Sequence, residues 1–466
     1  MPTPTRKKMP ANAKVDDILR TLRLRRQALG GFLASLALIV AAFTLWSCQT
    51  GGTPRASDRA ALGFAEEPDI RVRLKKGAET ASVTGPKRVV VRALGVSRFE
   101  SLDTPVTVKI GASGFEISDA QGKPRLFGNN IDVEILPREP RAGATTSNAF
   151  SASDSFALDS VAHVGFLTLR GRWSEPGNKF DVVNTIPIET YLPGVLAKEL
   201  LAGWPLQSYQ AQAVAARSYA LHERGRSRRD GRTSDVEATD ADQVYGGQTL
   251  MLTPLEAVKS TRGQVLTSDG QLLRAYYSAA CGGRSASAAE IWPTSRGFEF
   301  NLATALQGQR RQWYCQSSAR YVWNVQRSVD DTSKRIKAWG RDAGHKVLGI
   351  SRLRLCEVKD RNDAARPNRY RLTDDRGRTY DLSAEDLRNA LNYSSPELPP
   401  LPREVRAFSG DLTMQFFGDQ LTLSGRGFGH GVGLCQWCAK GMADRAMDYP
   451  TMLREFYPGS LVQRAY

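Results

Sequence analysis

The sequence predicts an α+β protein, rich in strands with a few helices and preceded by an N-terminal signal or anchor helix. Three observations predict it. Residues from Ile70 to about Glu134 come in short alternating bursts, such as Arg88-Val-Val-Val-Arg92 and Val106-Thr-Val-Lys-Ile110, parted by turn residues. That period of two is the pattern of strands and hairpins. An alanine-rich stretch from Pro205 to about Gly225 predicts the longest helix, because proline suits a first helical position. Upstream of both lies a nearly continuous apolar run.

That run, Ala28 to Trp46, sits in a segment without charge from Gln27 to Pro54. Eight basic residues against two acids in residues 1–26 give a net of +6 before it. A basic flank followed by about nineteen apolar residues is the order of a signal or of a membrane anchor whose start stays in the cytoplasm. The run ends Leu45-Trp46-Ser47-Cys48, which resembles a bacterial lipobox, although Trp46 stands where small residues are usual. Either Cys48 is lipidated or the run stays as an uncleaved span. Both readings place residues 49–466 in the cell envelope, exported and attached to the membrane. Residues 49–68, rich in Gly, Thr, Ser and Ala, read as a tether.

Residues 69–140 read as an N-terminal β-rich subdomain. Arg141 to Ser155 is small and polar and reads as a loop. The remaining region, 156–466, opens with strands at Gly165-Phe-Leu-Thr-Leu-Arg170 and Phe180-Asp-Val-Val-Asn184. A short helical run then ends at Glu199, the long helix starts at Pro205, and a basic loop follows at Arg226–Arg232. A helix is expected at Pro254–Ser260. Strands are expected at Gln264–Thr267, Leu273–Ser278, Val347–Leu355 and Arg369–Thr373, and a short helix at Ala384–Leu391. The proline-rich piece Pro396–Pro402 reads as a crossing loop, Ser409–Leu423 as a hairpin turning at Gly418-Asp419, and Tyr449–Phe456 as a last helix.

With 466 residues, 41% hydrophobic and 24% charged, the composition is that of an ordinary globular chain. The net charge of +16 favours anionic partners, whether nucleic acid, anionic lipid or a wall polymer bearing carboxylates. No zinc-finger, RNA-recognition or homeodomain pattern accompanies the charge, so nucleic acid is not an expected partner.

Three blocks carry chemistry. The first is Ile186-Pro-Ile-Glu-Thr-Tyr-Leu-Pro-Gly-Val-Leu-Ala-Lys-Glu-Leu200, then Trp204 to Leu221 and Gln243-Val-Tyr-Gly-Gly247. The second is Ala275-Tyr-Tyr-Ser-Ala-Ala-Cys-Gly-Gly283 with Trp292. The third is Gly425-Arg-Gly-Phe-Gly-His-Gly-Val-Gly-Leu-Cys-Gln-Trp-Cys438 through Met442, with Tyr457-Pro-Gly459. In this order they resemble the SpoIID/LytB family, which includes sporulation proteins of the stage II D type and amidase enhancers of the LytB type. The resemblance implies a β-rich fold with helices around a cleft, acting on peptidoglycan. It implies either a lytic transglycosylase, cutting the β-1,4 bond between N-acetylmuramic acid and N-acetylglucosamine, or a non-catalytic, wall-binding enhancer of an N-acetylmuramoyl-L-alanine amidase. Peptidoglycan glycan strands and a cell-wall amidase are the implied partners, and no cofactor is required. The remaining reading is a purely structural envelope lipoprotein.

Glu199 aligns with the family's catalytic acid. Two-carboxylate glycosidases admit water, whereas one acid suffices when the C6 hydroxyl of the muramic sugar closes a 1,6-anhydro ring. A carboxylate between two packed helices is partly desolvated and suited to that work. The plainer reading is a surface charge at a helix C-terminus, an unfavourable place for an anion. Glu189 is expected at the helix start.

Gln212, Arg217 and Tyr219 share the next helix and either line a saccharide groove or pack within the fold. Arg217 can also pair with Glu199, which would lower that acid's pKa. Gln243, Tyr245, Ser278, Gly282, Gly283 and Gln436 are further substrate-binding candidates. His430, one of four histidines, orients substrate, ligates metal or braces its glycine-rich loop. Cys281, Cys315, Cys435 and Cys438 can complete a four-thiolate structural zinc site, with a smaller site including His430 as a variant. In an oxidising envelope the competing state is disulfides, for instance Cys281 with Cys315. The family often has His where Ser278 stands and Gly where Cys438 stands. Cys356 reads as a buried free thiol.

Overall fold

The computed structural model describes residues 62, 64–140, 150, 154–175 and 177–466. The apolar run Ala28–Trp46, Cys48, most of the 49–68 tether and most of the 141–155 loop lie outside the described residues. No helix among the described residues is long and apolar enough to cross a membrane.

The alternating bursts form strands β1 (Asp69–Ala78), β2 (Thr80–Thr84), β3 (Arg88–Ala93), β4 (Glu100–Asp103), β5 (Val106–Gly111), β6 (Gly114–Ser118), β7 (Pro124–Phe127) and β8 (Val133–Leu136). After them come β9 (Phe156–Leu158), β10 (Val161–His163), β11 (Phe166–Gly171) and β12 (Phe180–Pro187). They build two sheets. One has six strands in the order β10-β9-β2-β5-β6-β7, and the other runs β1-β12-β11-β8-β3-β4 with a further short strand beside β1. Val83, Val108, Phe115 and Ile117 of the first face Val89, Val91, Leu167 and Val182 of the second across one core. The alternation that reads as strand is thus the alternation between core and solvent.

The expected boundary between residues 140 and 156 is not a division in the fold. Strand β12 pairs antiparallel with β1 over Asp69–Ala78 and with β11 on its other side. Each half of the sandwich therefore completes the other's sheet.

Every residue of β12 is buried. Its N-terminal end supplies Phe180 and Val182 to the sandwich core, and its C-terminal end carries Ile186 into a second core beneath helix α1 (Ile188–Glu199). Helix α2 (Leu206–Arg229) follows. Its small residues Ala211, Ala213, Ala215, Ala216 and Ala220 are fully buried, so neighbouring elements approach it closely. Arg226, Arg228 and Arg229 occupy its last turn, where cations suit the helix dipole. Strand β13 (Val236–Glu237) runs parallel to β1 at the sheet edge.

Gly194 of α1 lies against the Gly246-Gly247 turn. A Cβ there would stand 2.1 Å from the Gly247 carbonyl oxygen. Gly194→Ala is therefore expected to destabilise the protein by about 1–3 kcal/mol, the usual cost of overpacking, measurable by denaturant unfolding.

Beyond α3 (Leu252–Ser260) the chain runs through β14 (Gln264–Ser268), β15 (Gln271–Leu272), β16 (Tyr277–Ser278) and α4 (Ala288–Ile291). The expected strand Leu273–Ser278 is regular only at its end. The Ala275 N–H turns back to the Leu273 carbonyl, which breaks the ladder.

A separate α+β layer then appears that the sequence reading did not isolate. It comprises β17 (Val322–Ser328), α5 (Val329–Asp342), β18 (Leu353–Arg361), β19 (Pro367–Asp374), β20 (Thr379–Ser383), α6 (Ala384–Asn392), β21 (Leu412–Phe417) and β22 (Gln420–Arg426). Trp323, Ile336, Tyr370, Leu372, Leu387 and Leu421 belong to its own core. Val322 pairs with Arg426, so the layer leaves and rejoins the chain at adjacent points. The expected strand Val347–Leu355 starts only at Leu353. His345 Nδ1 accepts the Val347 N–H and caps a short 3-10 turn at Lys346–Gly349. Cys356 is intermediate in exposure rather than fully buried, although burial pushes its thiol pKa up. The chain returns through β23 (Leu434–Cys435), α7 (Gln436–Ala443), α8 (Tyr449–Phe456) and β24 (Leu461–Arg464), which pairs with β14.

Candidate active site

Glu199 is the last residue of α1, and the extended Leu200 ends the helix behind it. Its side chain is only partly exposed. Gln436, the first residue of α7, donates from Nε2 to Glu199 Oε2 at 3.0 Å. The Val244 N–H and the Tyr277 hydroxyl lie close enough to the carboxylate to favour its charged form. Burial lifts the Glu199 pKa above the ordinary glutamate value, and these three donors pull the other way without cancelling it. The acid is thus biased toward its protonated form while part of its surface stays open. Exposed Leu201 and Val244 and partly exposed Trp437 adjoin it in the chain or through its hydrogen bonds. Trp437 packs edge-on against Trp204 at 5.0 Å.

A buried relay supports this array. The Tyr191 hydroxyl donates to Gln243 Oε1 at 3.2 Å, and Gln243 Nε2 donates to the Ala216 carbonyl at 3.2 Å and to the Tyr277 hydroxyl at 3.1 Å. Gln243 is therefore a brace for Tyr277, fully enclosed. Tyr245 is also buried, its ring against Tyr191 at 4.9 Å and His163 at 5.7 Å. Gln212 is fully buried, and neither of its amide atoms has a hydrogen-bond partner among the described residues. The Tyr219 hydroxyl donates to Asp242 and accepts from Arg274 Nη2. Asp242 spends its other oxygen on the Glu237 N–H, which makes it a loop brace.

Arg217 does not meet Glu199. It forms a two-pronged pair with Glu189 at 2.9 and 2.8 Å, at the opposite end of α1, and donates to the Gln264 carbonyl. Glu189 also accepts the Gly263 N–H and the Tyr466 hydroxyl. The helix start is where a carboxylate is favoured, so Glu189 draws the arginine and leaves Glu199 without an ion-pair partner among the described residues.

Ser278 Oγ accepts the Gly431 N–H at 3.2 Å. Its neighbour His430 accepts the Val432 N–H on Nδ1 at 3.0 Å and lies edge-on to Trp292 at 4.9 Å. Burial lowers the His430 pKa to about 4, so the ring is neutral at physiological pH. Gly282 and Gly283 hold positive φ where the inserted layer meets the rest. Arg426 Nε donates to the Gly282 carbonyl, and a Cβ on Gly282 would strike the Gly427 nitrogen at 2.5 Å.

The four cysteines converge. The sulfurs of Cys281, Cys315, Cys435 and Cys438 all lie within 4.8 Å of one another and are buried. Cys281 Sγ stands 3.5 Å from Cys315 Sγ and 3.8 Å from Cys438 Sγ. Tetrahedral zinc with Zn–S bonds of about 2.3 Å requires sulfurs about 3.8 Å apart. Backbone amides point at the sulfurs: Cys281 and Cys438 N–H at Cys435 Sγ, and Tyr314 N–H at Cys438 Sγ. Such donors favour thiolates, the form that binds metal. Hydrogen bonds from Cys281, then Cys435 and Cys438, hold the Cys315 thiol below its ordinary range, while burial holds the Cys435 and Cys438 thiols above theirs. The donor set fits a closed structural zinc site, and His430 is not in it.

The sequence reading missed Tyr277. It lies within the second block, but only the fold separates it from Tyr276, which stacks on Trp292 at 3.9 Å.

The family model described as stage II sporulation protein matches residues 176–268. An uncharacterised protein of Brachyspira hyodysenteriae is 30% identical over 312 residues, 66% of this chain and 74% of that protein. The amidase enhancer of Bacillus subtilis is 27% identical over 291 residues, 58% of this chain and 40% of that protein. Stage II sporulation protein D of Bacillus subtilis is 24% identical over 300 residues, 61% of this chain and 76% of that protein. The chain belongs to the SpoIID/LytB family.

Proposed function

We propose that the protein is a peptidoglycan lytic transglycosylase with Glu199 as its single acid and base. The observation that carries this reading is the Glu199 carboxyl itself. It is lifted by burial, oriented by the Gln436 amide with the Tyr277 hydroxyl and the Val244 N–H beside it, and partly open to solvent. Protonated Glu199 gives its proton to the glycosidic oxygen as the C1–O bond breaks. The resulting carboxylate takes the proton of the C6 hydroxyl while that oxygen bonds to C1. The 1,6-anhydro ring closes, no water is consumed, and the acid is regenerated. Among the described residues no second carboxylate joins the hydrogen-bond array of Glu199, Tyr277, Gln243 and Gln436. That suits an intramolecular nucleophile better than a water activated by a partner acid.

The test is mass spectrometry of the products that the full chain releases from purified wall and from glycan stripped of its peptides. The second reading, an amidase enhancer, draws on the similarity to the Bacillus subtilis enhancer. It predicts no cleavage by this protein alone and stimulation of a cell-wall amidase in the same assay.

The N-terminal run, with or without lipid on Cys48, would hold the described region at the outer face of the cytoplasmic membrane, where the net charge of +10 that remains beyond residues 1–26 attracts an anionic wall. Cys281, Cys315, Cys435 and Cys438 would hold a structural zinc, which supplies a cross-link and no catalytic step. Protein purified without chelator is expected to carry about one zinc per chain by elemental analysis, and to lose thermal stability when a strong chelator removes it. Intact disulfides with substoichiometric zinc would overturn the metal site.

A further inference from the structure

We propose that metal bound by the four-cysteine cluster positions the catalytic acid, by holding Gln436 and Tyr277 against the Glu199 carboxyl. The inference rests on the readings of Glu199 as the acid and of the cluster as a metal site. Its own content is that the two are mechanically joined.

Both side chains that reach Glu199 are carried by cluster segments. Gln436 lies between Cys435 and Cys438, at the first turn of α7. Tyr277 lies four residues before Cys281, on β16. The two segments are laced together in parallel, with Tyr277 opposite Leu434 and Ser278 opposite Cys435. The Leu434 N–H donates to the Tyr276 carbonyl at 3.1 Å, and the Trp437 N–H to the Ala279 carbonyl at 3.0 Å. At the end of this short ladder, the Cys281 N–H meets Cys435 Sγ at 3.3 Å. A two-residue ladder is a weak fixture by itself. Metal–thiolate bonds from Cys281, Cys435 and Cys438 would close its open end, and Cys315 would tie in a loop.

Strain or freedom at the cluster therefore has a short path to the carboxyl. Without metal, the four buried sulfurs would be left with only thiol contacts and N–H donors, and the first turn of α7 would be held against β16 by the short ladder and by core packing alone. Gln436 and Tyr277 would then leave Glu199 separately, and its carboxyl would gain access to water. Both are positioning residues in this scheme, because they act through Glu199 rather than on the sugar.

The test needs no turnover. Full-length protein is zinc-loaded or stripped by chelator under reducing conditions. It is then labelled with a water-soluble carbodiimide and an amine, and each acid is followed by peptide mass spectrometry. Glu189, enclosed with Arg217 at the far end of α1, reports whether the fold survives. The expected result is labelling of Glu199 about tenfold faster after stripping, with Glu189 still protected. Gln436→Ala is expected to label equally fast at Glu199 while keeping its zinc. Three outcomes would overturn the proposal. These are failure of the chain to bind zinc, unchanged Glu199 labelling after zinc loss, or exposure of Glu189 together with Glu199, which would make the metal a requirement of the whole fold. If labelling responds and no glycan is cleaved, the coupling stands and the transglycosylase reading falls.

Discussion

Glu199→Gln is expected to lower release of 1,6-anhydro products by about 10³-fold or more, because one group serves as acid and then as base, and general acid–base catalysis contributes about 10²–10⁴-fold. Glutamine keeps the shape and can still hydrogen-bond Gln436 and Tyr277, so the fold should survive. Its stability should rise relative to wild type in a pH-dependent way. Burial raises the folded-state pKa of Glu199 above its unfolded value. Folding then favours the protonated form, and the ionised form is penalised as pH climbs from the unfolded pKa through the folded one. Below that window both proteins should melt alike; above it the glutamine variant should melt higher. The same shift fixes the activity profile. Cleavage should persist above the ordinary glutamate range and decline as pH passes the raised pKa, since the first proton transfer needs the acid form. Melting curves and initial rates across pH check both limbs.

Arg217→Met is expected to cost about 3–5 kcal/mol of stability, the penalty for stranding a buried partner charge. Arg217 is fully enclosed, and Glu189 is nearly so. The guanidinium also donates to the Gln264 and Val258 carbonyls, so one substitution leaves several acceptors unsatisfied. A change of this size corresponds to a fall in melting temperature of order 10 °C. Glu189→Gln alone should also destabilise, whereas the double variant should lose less than the sum, because the pair and its burial are removed together. Denaturant unfolding of the four proteins measures the coupling. Arg217→Lys should rescue poorly, since an ammonium cannot reproduce the two-pronged contact.

Much of the framework was legible because local patterns carried it. The period of two in Val106–Ile110 is the sandwich alternation seen in β5, whereas Val89, Val90 and Val91 of β3 are all buried, Val90 in a smaller cluster with Leu136 and Phe150. Pro205 sits at the N-cap of α2, and Gly418-Asp419 turns the β21–β22 hairpin. What escaped was set by contacts distant in sequence. The inserted layer is closed by β17 pairing with β22, which no local signal announces. The sandwich crosses the expected subdomain boundary because β1 needs β12 as a neighbour.

The site divides in the same way. Glu199 stood out by its position at a helix break, and Cys435-x-x-Cys438 by its spacing. The approach of Cys281 and Cys315 to that pair depends on the fold. Arg217 was readable as a partner for an acid, but which acid was decided by the depth of Glu189. Tyr277 and Tyr276 are indistinguishable by composition, and only the path of the short β16 strand sends one toward Glu199 and the other onto Trp292.

The most direct measurement compares wild type and Glu199→Gln by mass spectrometry of the glycan ends each produces. The account predicts termini lighter by one water than hydrolysis would leave, from wild type alone, with the variant folded and silent. Anhydro termini at the normal rate from the variant, or none from an intact wild type on either wall or stripped glycan, would contradict it.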